Sequence, residues 1–147
     1  MKKPSSTYKR GSYVTIMDWM VRSLKLKSNE LIIYAVIHSF SQDGQSRFYG
    51  SWNYLRSWTS LSRQGVQNKL NSLIEKGYIL KEDIPANGKH GRHYCAYFTT
   101  FSRLPEEDQL DIMAGNEKGI MIATRTREFW KLAKQGIFTF PQNGQNS

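Results

Sequence analysis

Between positions 63 and 71 the chain reads RQGVQNKLN. Arg63, Gln64, Gln67, Asn68 and Asn71 fall close together, and their side chains share one kind of chemistry. A carboxamide can pair bidentately with the edge of adenine, and a guanidinium can do the same with guanine or hold a phosphate. This is the chemistry of recognition, not of bond-making. At about 100° per residue, Leu70, Leu73 and Ile74 lie within about 80° of Val66 and form an apolar stripe. Gln64, Asn68 and Asn71 fall on the opposite side, with Gln67 at its edge. Ser62 is placed to cap this helix and adds a hydroxyl at its start. Gly65 removes a side chain where a backbone could approach closely. Glu75 shares the polar side but sits near the C-terminal end, directed away from any anionic partner. Amide-rich faces also occur on helices that merely face water, so the neighbouring elements must decide between the two.

Other reactive residues offer less. His90 and His93 flank Gly91 and Arg92, with Cys95 nearby. Without a carboxylate pair they make a poor zinc set. Rolling-circle nucleases place an apolar residue between two histidines, which the Gly-Arg spacer does not match. The sequence contains no phosphate-cradling glycine loop and no nucleophile motif. Catalysis, a metal and a cofactor are therefore not expected. His38, inside an apolar run, reads as a satisfied core or boundary histidine. Cys95, in an apolar strand, reads as core.

The 147 residues carry a formal charge of +9, unevenly spread. Residues 1–27 hold seven Lys/Arg and one acid, residues 28–101 eight and five, and residues 102–147 six and six. The positive excess on the first two-thirds suits a polyanion: nucleic acid first, an anionic membrane surface second. The single cysteine rules out an intrachain disulfide and fits a reducing compartment. No signal-peptide pattern and no run of about 20 apolar residues occurs. A soluble cytoplasmic protein is expected.

The elements that position the amide face follow from periodicity and capping. Residues 1–12 read as a disordered basic arm in which Lys2, Lys3, Lys9 and Arg10 could enter a minor groove. Val14 and Ile16 alternate like a short strand, and a short helix is expected from about Met17. Ser28 is a plausible cap for the apolar helix "LIIYAVIHSF", with Glu30 in its first turn. "SQDGQS" ends that helix, and Phe48-Tyr49 is a short extended piece. Ser51 caps a two-turn helix with Trp52, Leu55 and Trp58 inward. "TSLS" (59–62) is a tight turn into the amide-bearing helix, which ends at Gly77. "YILKEDI" (78–84) and "HYCAYFTTF" (93–101) read as strands joined by "PANGKHGR", a hairpin tip whose Lys89, His90 and Arg92 can meet phosphates. This order predicts an α+β winged helix-turn-helix over residues 13–101: a steep turn lets the second helix enter a major groove while the hairpin flanks it. Pro105 and Gly115 bound a further helix, and 124–136 form another, making a helical appendage over 102–140 before a disordered tail at 141–147. Phe129, Trp130 and Leu132 are candidates for a homodimer seam or for docking on the domain's own core.

From Trp19 to Leu80 the sequence also resembles the winged-helix domain of replication-initiator and replisome-organiser proteins. That family belongs to plasmids, phages and integrative elements of low-GC Gram-positive bacteria. The resemblance is carried by Trp19-Met20, Asn29-Glu30-Leu31, Tyr34-Ala35, "FSQDG" at 40–44, "GS" at 50–51 and the Leu55–Trp58 pair. The series Ser62, Val66, Leu70, Leu73, Gly77 and Ile79 completes it. It implies binding of double-stranded DNA, often at an origin. Residues 102–147 lie outside it and are too few for the separate C-terminal domain of larger replication proteins. The expected function is sequence-specific duplex DNA binding in replication initiation of a mobile element. Transcriptional regulation from the same fold, and a protein-interaction module that binds no DNA, are the alternatives.

Overall fold

The computed structural model describes residues 12–84 and 94–134. The arm with Lys2, Lys3, Lys9 and Arg10, the hairpin tip with Lys89, His90 and Arg92, and His93 lie outside the described residues. So do the side chains of Phe129, Trp130 and Leu132.

Helix α1 is Asp18–Arg22, α2 Ser28–Ser41, α3 Trp52–Thr59 and α4 Arg63–Glu75. Strands β1 (Ile79–Ile84) and β2 (Tyr94–Thr99) pair antiparallel, with Ile79 opposite Thr99 and Ile84 opposite Tyr94. Phe48 adds a bridge to Tyr97 through reciprocal backbone bonds of 2.7 and 3.0 Å, so the extended piece at Phe48 joins the sheet. Helices followed by a hairpin make a winged helix-turn-helix, as the element order predicts.

α2 is central because it is apolar nearly all round. Ile33, Tyr34, Ala35, Val36 and Ile37 are all buried, and α1, α3, α4 and β2 pack around them. Beside them Trp19 stacks on Phe101 at 4.0 Å and presents an edge contact to His38 at 5.4 Å. His38 is itself buried, and its Nδ1 lies 2.9 Å from Thr99 Oγ1. Burial lowers its pKa from 6.5 to about 4, so it is a neutral core histidine at physiological pH.

Several local expectations are corrected. Val14 and Ile16 form no strand. Ser28 does not cap α2: it is the first helical residue, with φ +56°, and the preceding Lys27 makes no side-chain cap bond. Cys95 is half-buried at the margin of the core against which it packs, with its Sγ 3.4 Å from Asp83 Oδ1; partial burial and this carboxylate raise the thiol pKa.

After a short 3-10 turn at Phe101–Arg103 come α5 (Glu106–Ala114) and α6 (Glu117–Lys134). α5 has the expected bounds, with Gly115 in the left-handed region at φ +69°. α6 begins seven residues before the expected 124. Asn116 starts it, its Oδ1 accepting the Gly119 N–H at 2.8 Å. Leu104, Ile112 and Ala123 belong to the same buried cluster as α2. Ser23 Oγ donates to the Ile112 carbonyl at 2.6 Å, tying α1 to α5.

Candidate nucleic-acid interface

The amide-bearing helix α4 is set by bonds at both ends. Ser51 Oγ accepts the Tyr54 N–H at 3.2 Å and starts α3. At the other end of α3, Ser60 takes a left-handed φ of +64° and its N–H reaches the Arg56 carbonyl at 2.7 Å. Arg56 Nε then crosses the turn to the Leu61 carbonyl at 3.0 Å, while Thr59 Oγ1 accepts the Leu61 N–H at 3.3 Å. Ser62 Oγ accepts the Gly65 N–H at 3.0 Å and caps α4. These bonds satisfy backbone groups that two abutting helix ends would otherwise leave open.

The C-terminal end of α4 is anchored to α2 and the sheet. Glu30, three-dimensionally opposite the last turn, accepts Ser72 Oγ at 2.7 Å and Lys76 Nζ at 3.0 Å. Its carboxylate therefore works across the helix pair as well as at its own N-terminus. Gly77, at φ +81°, closes the helix in the left-handed conformation. Thr100 Oγ1 donates to the Gly77 carbonyl at 2.9 Å, fixing the helix end to the residue that follows β2.

Between these anchors the two faces separate as their periodicity predicts. Val66, Leu70 and Leu73 are buried and Ile74 is half-buried against them. Ser62, Arg63, Gln64, Asn68 and Asn71 are exposed, and Gln67 is half-buried at the boundary. Gln64 Nε2 donates to Asn68 Oδ1 at 3.0 Å, joining two of the amides. Arg63 diverges from them: its guanidinium sits 5.5 Å above the ring of Trp52 on α3, a cation–π contact. The sequence angle explains this, since Arg63 lies only about 60° from Val66 and hence toward α3. The crowding at Gly65 is internal. A Cβ there would lie 3.2 Å from Leu61 Cβ and 3.4 Å from Ser62 Oγ, so the close approach is that of the turn itself.

Sequence reasoning overlooked Arg56. It is exposed beside the turn and pins it through the Leu61 carbonyl. A cation in the last turn of a helix is a recognisable C-terminal signal, and that signal was available. Among the described residues no group of three or more His, Cys, Asp or Glu could hold a metal ion. Among them, too, no helix is long and apolar enough to cross a membrane.

The bonded turn between a capped short helix and a capped second helix is the deciding geometry. Residues 24–79 match the family model of a helix-turn-helix domain. The matched stretch of this helix-turn-helix runs from Leu24, through α2, α3 and α4, to the first residue of β1. No curated protein matches the chain.

Proposed function

We propose that this chain is a non-enzymatic protein that binds double-stranded DNA with sequence preference, and that it acts in replication initiation of a mobile element. α4 lies in the major groove, with Gln64, Gln67, Asn68 and Asn71 toward base edges and Arg63 and Ser62 toward the phosphate backbone. Lys89, His90 and Arg92 of the wing and Lys9 and Arg10 of the arm add backbone contacts. The observation that carries the reading is the exposed amide face of α4, held between a bonded turn and the Glu30 anchor. The caps and the anchor fix the helix backbone, and base recognition needs its side chains presented from a backbone so fixed. The net charge of +9 supplies the electrostatic attraction.

The role in replication rests on the resemblance of Trp19–Leu80 to initiator proteins. Transcriptional regulation is the second reading, favoured by one observation: Leu104, Ile112 and Ala123 are built into the helix-turn-helix core instead of forming a recruiting module of their own. Footprinting on fragments of the host element separates them, since repeats at an origin support the first and a promoter the second. The same titrations test DNA binding itself. Affinity should fall steeply with salt, the log–log slope approaching about −0.9 per phosphate contacted. Salt-insensitive binding, or none at low salt, would refute the DNA reading and favour a protein-interaction module.

A further inference from the structure

We propose that Gln64 and Asn68 read DNA as one bonded unit and not as two independent contacts. This rests on the proposal that α4 enters the major groove, and adds how the sequence is read there. The two residues are one helical turn apart, both exposed, and joined by the 3.0 Å bond from Gln64 Nε2 to Asn68 Oδ1.

That bond restricts what the amides can offer. A free carboxamide can turn over and exchange its donor and acceptor ends, so alone it reads either orientation of a base edge. Here, turning Asn68 over would set its NH2 against the NH2 of Gln64, and turning Gln64 over would set two carbonyl oxygens together. The pair therefore turns over together or not at all. In the observed arrangement one Gln64 N–H and one Asn68 lone pair are used internally. Gln64 Oε1 remains as an acceptor and Asn68 Nδ2 as a donor, beside the second Gln64 N–H and the second Asn68 Oδ1 lone pair. Adenine presents the complement in the major groove, an N6–H donor beside the N7 acceptor. Residues four apart are about 6 Å apart along the helix, against about 3.4 Å per base step. The two backbone positions thus lie nearly two base steps apart, but the 3.0 Å bond draws the amide ends together, so the unit can address one base pair or two adjacent ones, and an adenine is a base that it fits.

A duplex selected from a random pool by the full chain, and its variants changed at each base pair in turn, provide the test. Affinities would be measured for the wild type, Gln64→Ala, Asn68→Ala and the double variant. Each single variant should lose discrimination of about 5- to 150-fold at the same adenine-containing base pair or adjacent step. The double variant should lose no more than the worse single, because either substitution already breaks the unit. Arg63→Ala, whose guanidinium belongs to the Trp52 side, should combine multiplicatively with Asn68→Ala and serves as the comparison. Single variants that relax separate, non-adjacent base pairs with losses that multiply would overturn the unit while leaving DNA binding by α4 intact. A wild-type protein that shows no preference among duplexes would overturn both the unit and the proposed sequence preference. Because both side chains are exposed, unchanged thermal unfolding of the variants should accompany these losses.

Discussion

Gly119 sits buried in the first turn of α6 where that helix crosses α5. A Cβ built there would lie 2.7 Å from the Asp111 carbonyl carbon and 3.0 Å from Ile112 Cα, and closer still to the Asp111 carbonyl oxygen. All three atoms are backbone, so no side chain can rotate away. Carbon atoms pack at about 3.5–4.0 Å, so in Gly119→Ala the two helices must part by roughly 1 Å. Ile112 and Ala123, each 2% exposed, then lose part of their contacts. Overpacking of this kind costs up to about 3 kcal/mol. Replacing glycine by alanine within a helix returns about 1 kcal/mol. The balance is a loss of about 2 kcal/mol, or about 4–8 °C in Tm for a chain of this size. Urea unfolding followed by far-UV circular dichroism measures it as a lower midpoint at unchanged slope. Thr124→Ala, at an exposed position of the same helix, should be neutral or gain a few tenths of a kcal/mol. If Gly119→Ala proved as stable as the wild type, the helix crossing described here would be wrong.

The buried His38 makes stability depend on pH. Its folded pKa, lowered by burial from 6.5 to about 4, means that the unfolded chain takes up a proton first as pH falls. The contribution is present above pH 6.5 and is lost as pH falls toward 4, in all about 3 kcal/mol at ~1.4 kcal/mol per pH unit. Unfolding midpoints across that window should show the slope in the wild type and lack this part of it in His38→Gln; equal slopes in the two proteins would count against it. At the α4 cap, Ser62→Ala should cost about 1 kcal/mol, through loss of the bond to the Gly65 N–H. Ser62→Asp should recover that stability yet bind DNA more weakly, since its carboxylate would face phosphate; calorimetry and anisotropy titration separate the two effects, and an Asp variant that binds as well as the wild type would place Ser62 away from the backbone.

Much of the candidate interface was legible because it is written in local chemistry. Ser51 and Ser62 are capping residues with nearby backbone N–H groups to bind, and Gly77 supplies the positive φ that ends α4. The buried stripe of Val66, Leu70 and Leu73 follows from the helical repeat alone. What was missed involves partners distant in sequence or in unexpected company. Glu30 looked like a charge placed for its own helix dipole, but its oxygens bind Ser72 and Lys76 on α4. Ser28 looked like a cap, yet the chain enters α2 by a left-handed residue. α6 starts at Glu117, ahead of the expected 124, and Gly119 in its first turn lets two backbones meet.

By itself the sequence determined the order of helices, the turn and hairpin, the apolar and polar faces of α4, and the positive charge that surrounds them. Each of these depends on residues within a turn or two of one another, or on a simple sum. Only the tertiary structure decided which polar groups of that helix meet another element. Arg63 turns to Trp52 on α3, and Lys76 is engaged by Glu30 on α2. Periodicity assigns a side chain to a face, but its partner is set by the packing of α3 and α2 against α4 and by the rotamers which that packing leaves open.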